Sequence, residues 1–355
     1  MPNALCGRQQ PVMRNYSTLV LSSSSGTAKC LSTSSIRCFG ALQHLRLQSI
    51  EFPKLRFMRN DGDNRPQPET QFNLLLRTSP WLQVLILRGS ASGFKARLSN
   101  LFAHCQFKCL RELRLDISRT SANLEAYACL LEETPTLEVL EGNMGWGRAL
   151  QPGSLPNLRR IAVYMGFYST VEGVVTLFLD ESLAPRRLEE FSCAVLTADV
   201  VDILRRGLHA DTLRKLSVLF FESLSVLVDV VRLFPRLTWL SVPSREYMND
   251  YHSATIKPIH LGQWGEVLVN LAELKTFYGV CLLRDPSSSW STLNNDERAQ
   301  ELLEALPALR WTDHWDLKPE ARRIALGRGS DGRATWKVEE LLNYDGLDLR
   351  WAGDW

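Results

Sequence analysis

The chain has 355 residues, 45% of them hydrophobic and 23% charged, with 41 Lys and Arg against 39 Asp and Glu for a formal net charge of +2. That composition belongs to a globular protein and excludes a disordered chain. The near-balance of charge argues against a dedicated nucleic-acid binder, which shows a basic excess.

Residues 1 to about 40 contain no acidic residue, carry serines including Ser22 to Ser25, and hold Arg8, Arg14, Lys29 and Arg37. The stretch reads as a disordered or low-complexity leader. A mitochondrial transit peptide is the lesser reading of the same composition.

From residue 41 a short pattern recurs: leucine, two variable residues, an apolar residue, one variable residue, then usually another apolar one. Copies begin at Leu42, Leu82, Leu110, Leu137, Leu158, Leu188, Leu213, Leu237, Leu271 and, in weakened form, Leu309. From Leu82 to Leu237 the starts are separated by 28, 27, 21, 30, 25 and 24 residues. This lies at or near the period of leucine-rich repeats.

Between copies the sequence alternates with helical stretches. QFNLLLRTS, NLEAYACLLEETP, ADVVDILRRGLHA, SLSVLVDVVRLFP and DERAQELLEALPAL precede Leu82, Leu137, Leu213, Leu237 and Leu309. Val200, Ile203, Leu204 and Leu208 form an apolar stripe at helical spacing. Pro-x-Leu at Pro53, Pro80, Pro135, Pro156, Pro235 and Pro307 ends the helix, because proline lacks the N–H and restrains the residue before it. Each unit is therefore helix, proline stop and short strand. One unit buries too few apolar side chains to offset its ordering entropy, so units must stack.

The polar loop 59–70 carries Asp61 and Asp63 but lacks the later ligands of a calcium site. RRIALGRGSDGRATWKVEEL reads as a hairpin turning at Ser330-Asp331-Gly332, a cap for the carboxy-terminal end of the array. The expected fold is thus α/β: a leucine-rich-repeat solenoid over 41–316, parallel sheet on the concave face and helices outside. A cap with a β-hairpin and a tail is expected over 317–355.

SPWLQVLIL, TPTLEVLEG, LPNLRRIAV and FPRLTWLSV resemble the leucine-rich-repeat portion of fungal F-box proteins, especially the divergent sets of mushroom-forming fungi. The resemblance covers roughly residues 40 to 315. It implies a substrate-recognition surface of a ubiquitin ligase, with an F-box that docks on the cullin-ligase adaptor. Leu-Pro occurs only at Leu155-Pro156 and Leu306-Pro307, within the repeats. Adaptor binding is therefore expected only if an F-box is supplied elsewhere.

No P-loop, His-Glu-x-x-His, Gly-x-Ser-x-Gly or paired Cys-x-x-Cys occurs. The eight cysteines are scattered and read as reduced thiols of an intracellular protein, cytoplasmic or nuclear. LSVLFFESLSVLVDVVRLF is broken by Glu222 and Asp229, and no run has the roughly 18 apolar residues of a membrane span. No cofactor, metal, membrane or nucleic-acid partner is expected.

What remains is a surface for an unknown protein partner. The third, fifth and seventh places of each copy face the concavity. They are polar early, including Arg46 and Arg114, and apolar or aromatic late: Leu219, Trp239, Phe277 and Trp311. Eight of the ten tryptophans follow residue 236, and aromatic residues favour binding anchors. The competing reading places these tryptophans under the cap. A structural scaffold is the alternative function. A hydrolase-type enzyme using the loop from His252 to His260 is a more distant one.

Overall fold

The computed structural model describes residues 18–22, 44–48, 76, 80–88, 106–116, 124–142, 150–151, 153–163, 187–208, 211–242, 261–278, 282–283, 294–314 and 322–340. Among them thirteen strands form one sheet in chain order. They are β1 (Thr18–Ser22), β2 (His44–Gln48), β3 (Val84–Arg88), β4 (Glu112–Asp116), β5 (Val139–Gly142), β6 (Arg160–Val163) and β7 (Glu190–Leu196). The sheet continues with β8 (Lys215–Phe221), β9 (Trp239–Ser241), β10 (Thr276–Tyr278), β11 (Trp311–Asp313), β12 (Arg322–Arg328) and β13 (Ala334–Glu340). Strands β1 to β11 pair in parallel; β12 and β13 return antiparallel as the hairpin expected from Ser330-Asp331-Gly332.

Among the described residues five helices lie between strands: α1 (Leu124–Glu132), α2 (Ala198–Gly207), α3 (Leu224–Leu233), α4 (Leu261–Leu268) and α5 (Asn295–Ala305). Thr197 and Ser223 start α2 and α3, each accepting a hydrogen bond from the backbone N–H three residues on, and Asn294 starts α5 through Asp296. Of the expected helix QFNLLLRTS, only Leu76 is among the described residues.

The proline is the second residue of a turn. Leu137 N–H donates to the Thr134 carbonyl across Pro135, and Leu158, Leu237 and Leu309 do the same across Pro156, Pro235 and Pro307. Its fixed φ suits that turn position. The residue after each motif leucine then donates to its counterpart one unit earlier: Arg111 to Gln83, Glu138 to Arg111, Arg159 to Glu138, Glu189 to Arg159 and Arg214 to Glu189. These bonds start β4 to β8 in the same frame.

Alternate strand residues point to opposite faces. Leu85, Leu113, Leu140, Ile161, Phe191, Leu216, Leu240 and Phe277 share one continuous core with Leu227, Val230 and Val231 of α3, Val200 and Leu204 of α2 and Leu303 of α5. On the other face Ile86, Ala162, Ala194 and Tyr278 are buried but stand outside that core. The helices therefore cover one face, and the second is called the open face below.

Two expectations are corrected. Thr18–Ser22, assigned to a disordered leader, form β1 and pair with β2 in full register, Leu19 beside Leu45 and Leu21 beside Leu47. The sheet thus begins before residue 41. The copy placed at Leu271 belongs at Leu274, since Leu274 N–H closes the turn onto Leu271 and Lys275 donates to Thr238. Ala272 stands where other units carry proline, so the frame loses its marker.

Candidate functional site

The open face is built from two rows of side chains set by register. The first row runs Val84, Glu112, Val139, Arg160, Glu190, Lys215, Trp239, Thr276 and Trp311. The second runs Ile86, Arg114, Glu141, Ala162, Ser192, Ser217, Ser241 and Tyr278.

The middle of the face is a ladder of ion pairs. Arg114 Nε lies 2.6 Å from Glu112 and its Nη1 lies 3.3 Å from Glu141. Glu190 accepts Arg160 at 3.3 Å and Lys215 at 2.7 Å on the same carboxylate oxygen. Opposite charges thus alternate from β4 to β8, and the charges largely neutralise one another. Arg114 was expected to present its charge to a partner. It spends that charge on two carboxylates instead, and its side chain is mostly buried.

Beyond Lys215 the face turns aromatic. Trp239 on β9 and Trp311 on β11 are both half-buried and flank Thr276 on β10, whose Cα is paired with theirs. Neither tryptophan packs against the core. Trp239 meets Tyr278 edge-on, ring centroids 6.0 Å apart. The Arg323 guanidinium sits 4.6 Å from the centre of Trp311, reaching over from β12. Arg323 is held in turn by Glu339 of β13 at 3.0 Å. Lys337 also donates to Glu339, and this hydrogen bond, then Arg323, holds that carboxyl below the usual carboxylate range.

Phe277 is not on this face. It is fully buried in the helix-side core against Trp264 of α4. The three-residue error of frame moved it by an odd number of places, which inverts its side of the sheet. The residues that occupy the expected inner places in this unit are Thr276 and Tyr278. Counting the copy from Leu274 would have found them. Leu219 belongs to β8 and Arg46 to β2, where it pairs with Ile86 and so shares the second row; both side chains lie outside the described residues.

The tryptophans divide between the two expectations. Trp264 and Trp336 pack with the core, and Trp336 donates to Asp296 of α5 at 2.8 Å beneath the hairpin. Trp239 and Trp311 stay on the open face. A separate cavity of about 350 Å³ opens on the helical side between α4 and α5, lined by Trp264, Leu268, Val269, Arg298, Glu301 and Leu302.

Among the described residues no group of three or more His, Cys, Asp or Glu side chains comes together as a metal site. Among the described residues Cys109, Cys129 and Cys193 form no disulfide, and burial pushes the Cys193 thiol up. The loop from His252 to His260, and the pair His104-Cys105, lie outside the described residues. No described helix is long and apolar enough to cross a membrane. No known family model matches the sequence, and no curated protein matches it.

Proposed function

We propose that this chain is a leucine-rich-repeat solenoid acting as an intracellular protein-binding module, with the open face as its recognition surface. The observation that carries the reading is the placement of Trp239 and Trp311. Both are large aromatic side chains left incompletely buried and outside the core, on a face that no described helix covers. Incompletely buried aromatics held in fixed orientations are the side chains from which binding hot spots are built. The sequence resemblance gives this module a role as the substrate-recognition part of an F-box-like ubiquitin ligase, with the contact to the cullin-ligase adaptor made by an F-box elsewhere.

The test is affinity capture from cell extract by the full chain, compared with Trp239→Ser and Trp311→Ser chains of unchanged melting temperature. A partner retained by the native chain and lost by at least tenfold from both variants supports the reading. A partner whose capture ignores both substitutions favours a structural scaffold that uses another surface. The purified chain is expected not to bind the adaptor, and tight adaptor binding would overturn that part.

A further inference from the structure

The cavity of about 350 Å³ between α4 and α5 falls within the size range of small-molecule sites. Its inner wall is made by the core itself: Trp264, Leu268, Leu282 and Leu306 line it and are each almost fully buried. Trp264 is held edge-on by Phe277, so this wall is anchored to β10. Val269 also lines the cavity and is 76% exposed. Apolar surface therefore continues from the core out to solvent. Packed interiors leave few voids larger than a water molecule, because the lining of a void lacks contact partners. An apolar occupant would supply those contacts.

Gly265 gives a second, independent sign of an open site. It stands in the middle of α4, where glycine weakens a helix relative to alanine. No crowding demands it, since a Cβ built there would meet no atom within 4 Å. Gly265 lines the cavity, and the missing side chain leaves that space open.

The charged groups select the ligand. Among the described residues only Arg298 and Glu301 bring charge to the lining, three residues apart on one face of α5 and opposite in sign. An anion drawn by Arg298 is repelled by Glu301, and a cation meets the reverse. Arg298 is fixed at the wall by donating to the Leu282 carbonyl at 3.4 Å. A guanidinium carries only donors, so the ligand group that suits it is an oxygen acceptor.

We propose that this cavity binds an uncharged, mainly apolar small molecule with one hydroxyl or carbonyl oxygen. Its apolar body lies against Trp264, Leu268 and Leu306, and its oxygen accepts from Arg298. The site is on the helical side and goes beyond the reading of the open face as a protein-binding surface.

Saturation-transfer NMR of the full chain with octanol, octanoate and octylammonium at pH 7 tests it. Octanol is expected to bind saturably and to raise the melting temperature, because a ligand of the folded state stabilises that state. Each ion should bind at least fivefold more weakly. Gly265→Leu fills the cavity and should weaken octanol by tenfold or more without lowering the melting temperature. If that variant fails to fold, Ala305→Leu fills the cavity from α5 and should weaken octanol likewise. Arg298→Met leaves Glu301 as the one charge at the lining and should turn the preference toward octylammonium. Trp81→Ala, remote on the exposed turn before β3, and Trp239→Ser on the open face should leave octanol binding unchanged. Absence of saturable octanol binding, tighter binding of either ion by the native chain, or binding indifferent to both filling variants overturns the proposal. So does loss of a captured protein partner from Gly265→Leu while octanol does not bind, which would assign the cavity to a side chain of that partner. Octanol binding that passes these tests while partner capture ignores Trp239 and Trp311 supports this inference and sinks only the reading of the open face.

Discussion

Phe277 stands edge-on to Trp264, ring centroids 5.3 Å apart and planes inclined by 64°, so β10 is tied to α4 through two aromatic rings inside the core. Its neighbour in the preceding strand along that layer is Leu240, also fully buried. One strand away and on the opposite face, Trp239 makes an edge-on aromatic contact with Tyr278. The two side chains therefore respond differently to truncation. Phe277→Ala is expected to cost about 3–5 kcal/mol, the range for a large aromatic removed from a packed core. Trp239→Ala should cost about 1 kcal/mol or less. Urea unfolding of both variants checks this, and equal losses would place the two residues in the same layer.

Thr312 tests the core at its far end. It sits between Phe277 and Ile324 in register, is fully buried, and its hydroxyl has no hydrogen-bond partner among the described residues. The other units carry leucine, isoleucine or phenylalanine at this place. A buried hydroxyl without a partner costs about 1–3 kcal/mol, and replacement by an apolar group of the same shape recovers part of it. Thr312→Val should accordingly raise the melting temperature. A lower melting temperature would mean that the hydroxyl is satisfied.

These cases show where the sequence was legible. The strand order, the parallel pairing and the hairpin follow from Pro-x-Leu turns and leucine spacing, because those features act within one unit. Nine of the ten copies start their strands at the expected third residue. The frame fails only at Leu271, which itself imitates the motif leucine three residues before Leu274. The aromatic end of the open face was half legible. Trp239 and Trp311 were found from their place in the repeat, but Arg323 reaches Trp311 only because β12 turns back beside β11. Nor does a motif reveal that Arg114 is ion-paired to two carboxylates. That depends on Glu112 two residues before it and Glu141 one strand away, a relation that register creates.

Acid should loosen the hairpin through Glu339. Its carboxyl titrates below the ordinary carboxylate range because Lys337, then Arg323, favours the charged form. A carboxyl depressed in the folded state adds stability that is present above its unfolded pKa, about 4.3, and is lost as pH falls through the folded value. The window is thus below about pH 4.3. Glu339 is only partly buried and solvent still screens its pairs, so the effect is small. Glu339→Gln should lower the melting temperature slightly at pH 7 and leave it unchanged relative to the native chain near pH 2. A deficit that persists undiminished at pH 2 would assign the loss to packing and not to charge.

The hairpin itself closes the open end of the sheet. Without β12 and β13, the edge of β11 would present unpaired backbone groups, and Leu303 and Leu309 would lose Ile324 and Leu326 from their shared core. Three bonds fasten the hairpin to α5: Trp336 to Asp296, the Ala334 N–H to Gln300, and Arg328 to the Leu303 carbonyl. Because Gln300 caps a backbone N–H of the final strand, α5 blunts the edge as well as supporting it. Gly332 holds the turn at a φ of +80°, a conformation that costs a side-chain-bearing residue about 1 kcal/mol or more. Gly332→Val should therefore weaken the hairpin without touching the core. Trp336→Ala removes a ring packed on the core together with its bond to Asp296, and should weaken it more. The expected consequence is self-association through the uncovered β11 edge, read by light scattering on size-exclusion eluates across a tenfold range of concentration. If Trp336→Ala stays at the native chain's mass over that range while its melting temperature falls, the hairpin stabilises the array but does not guard its edge.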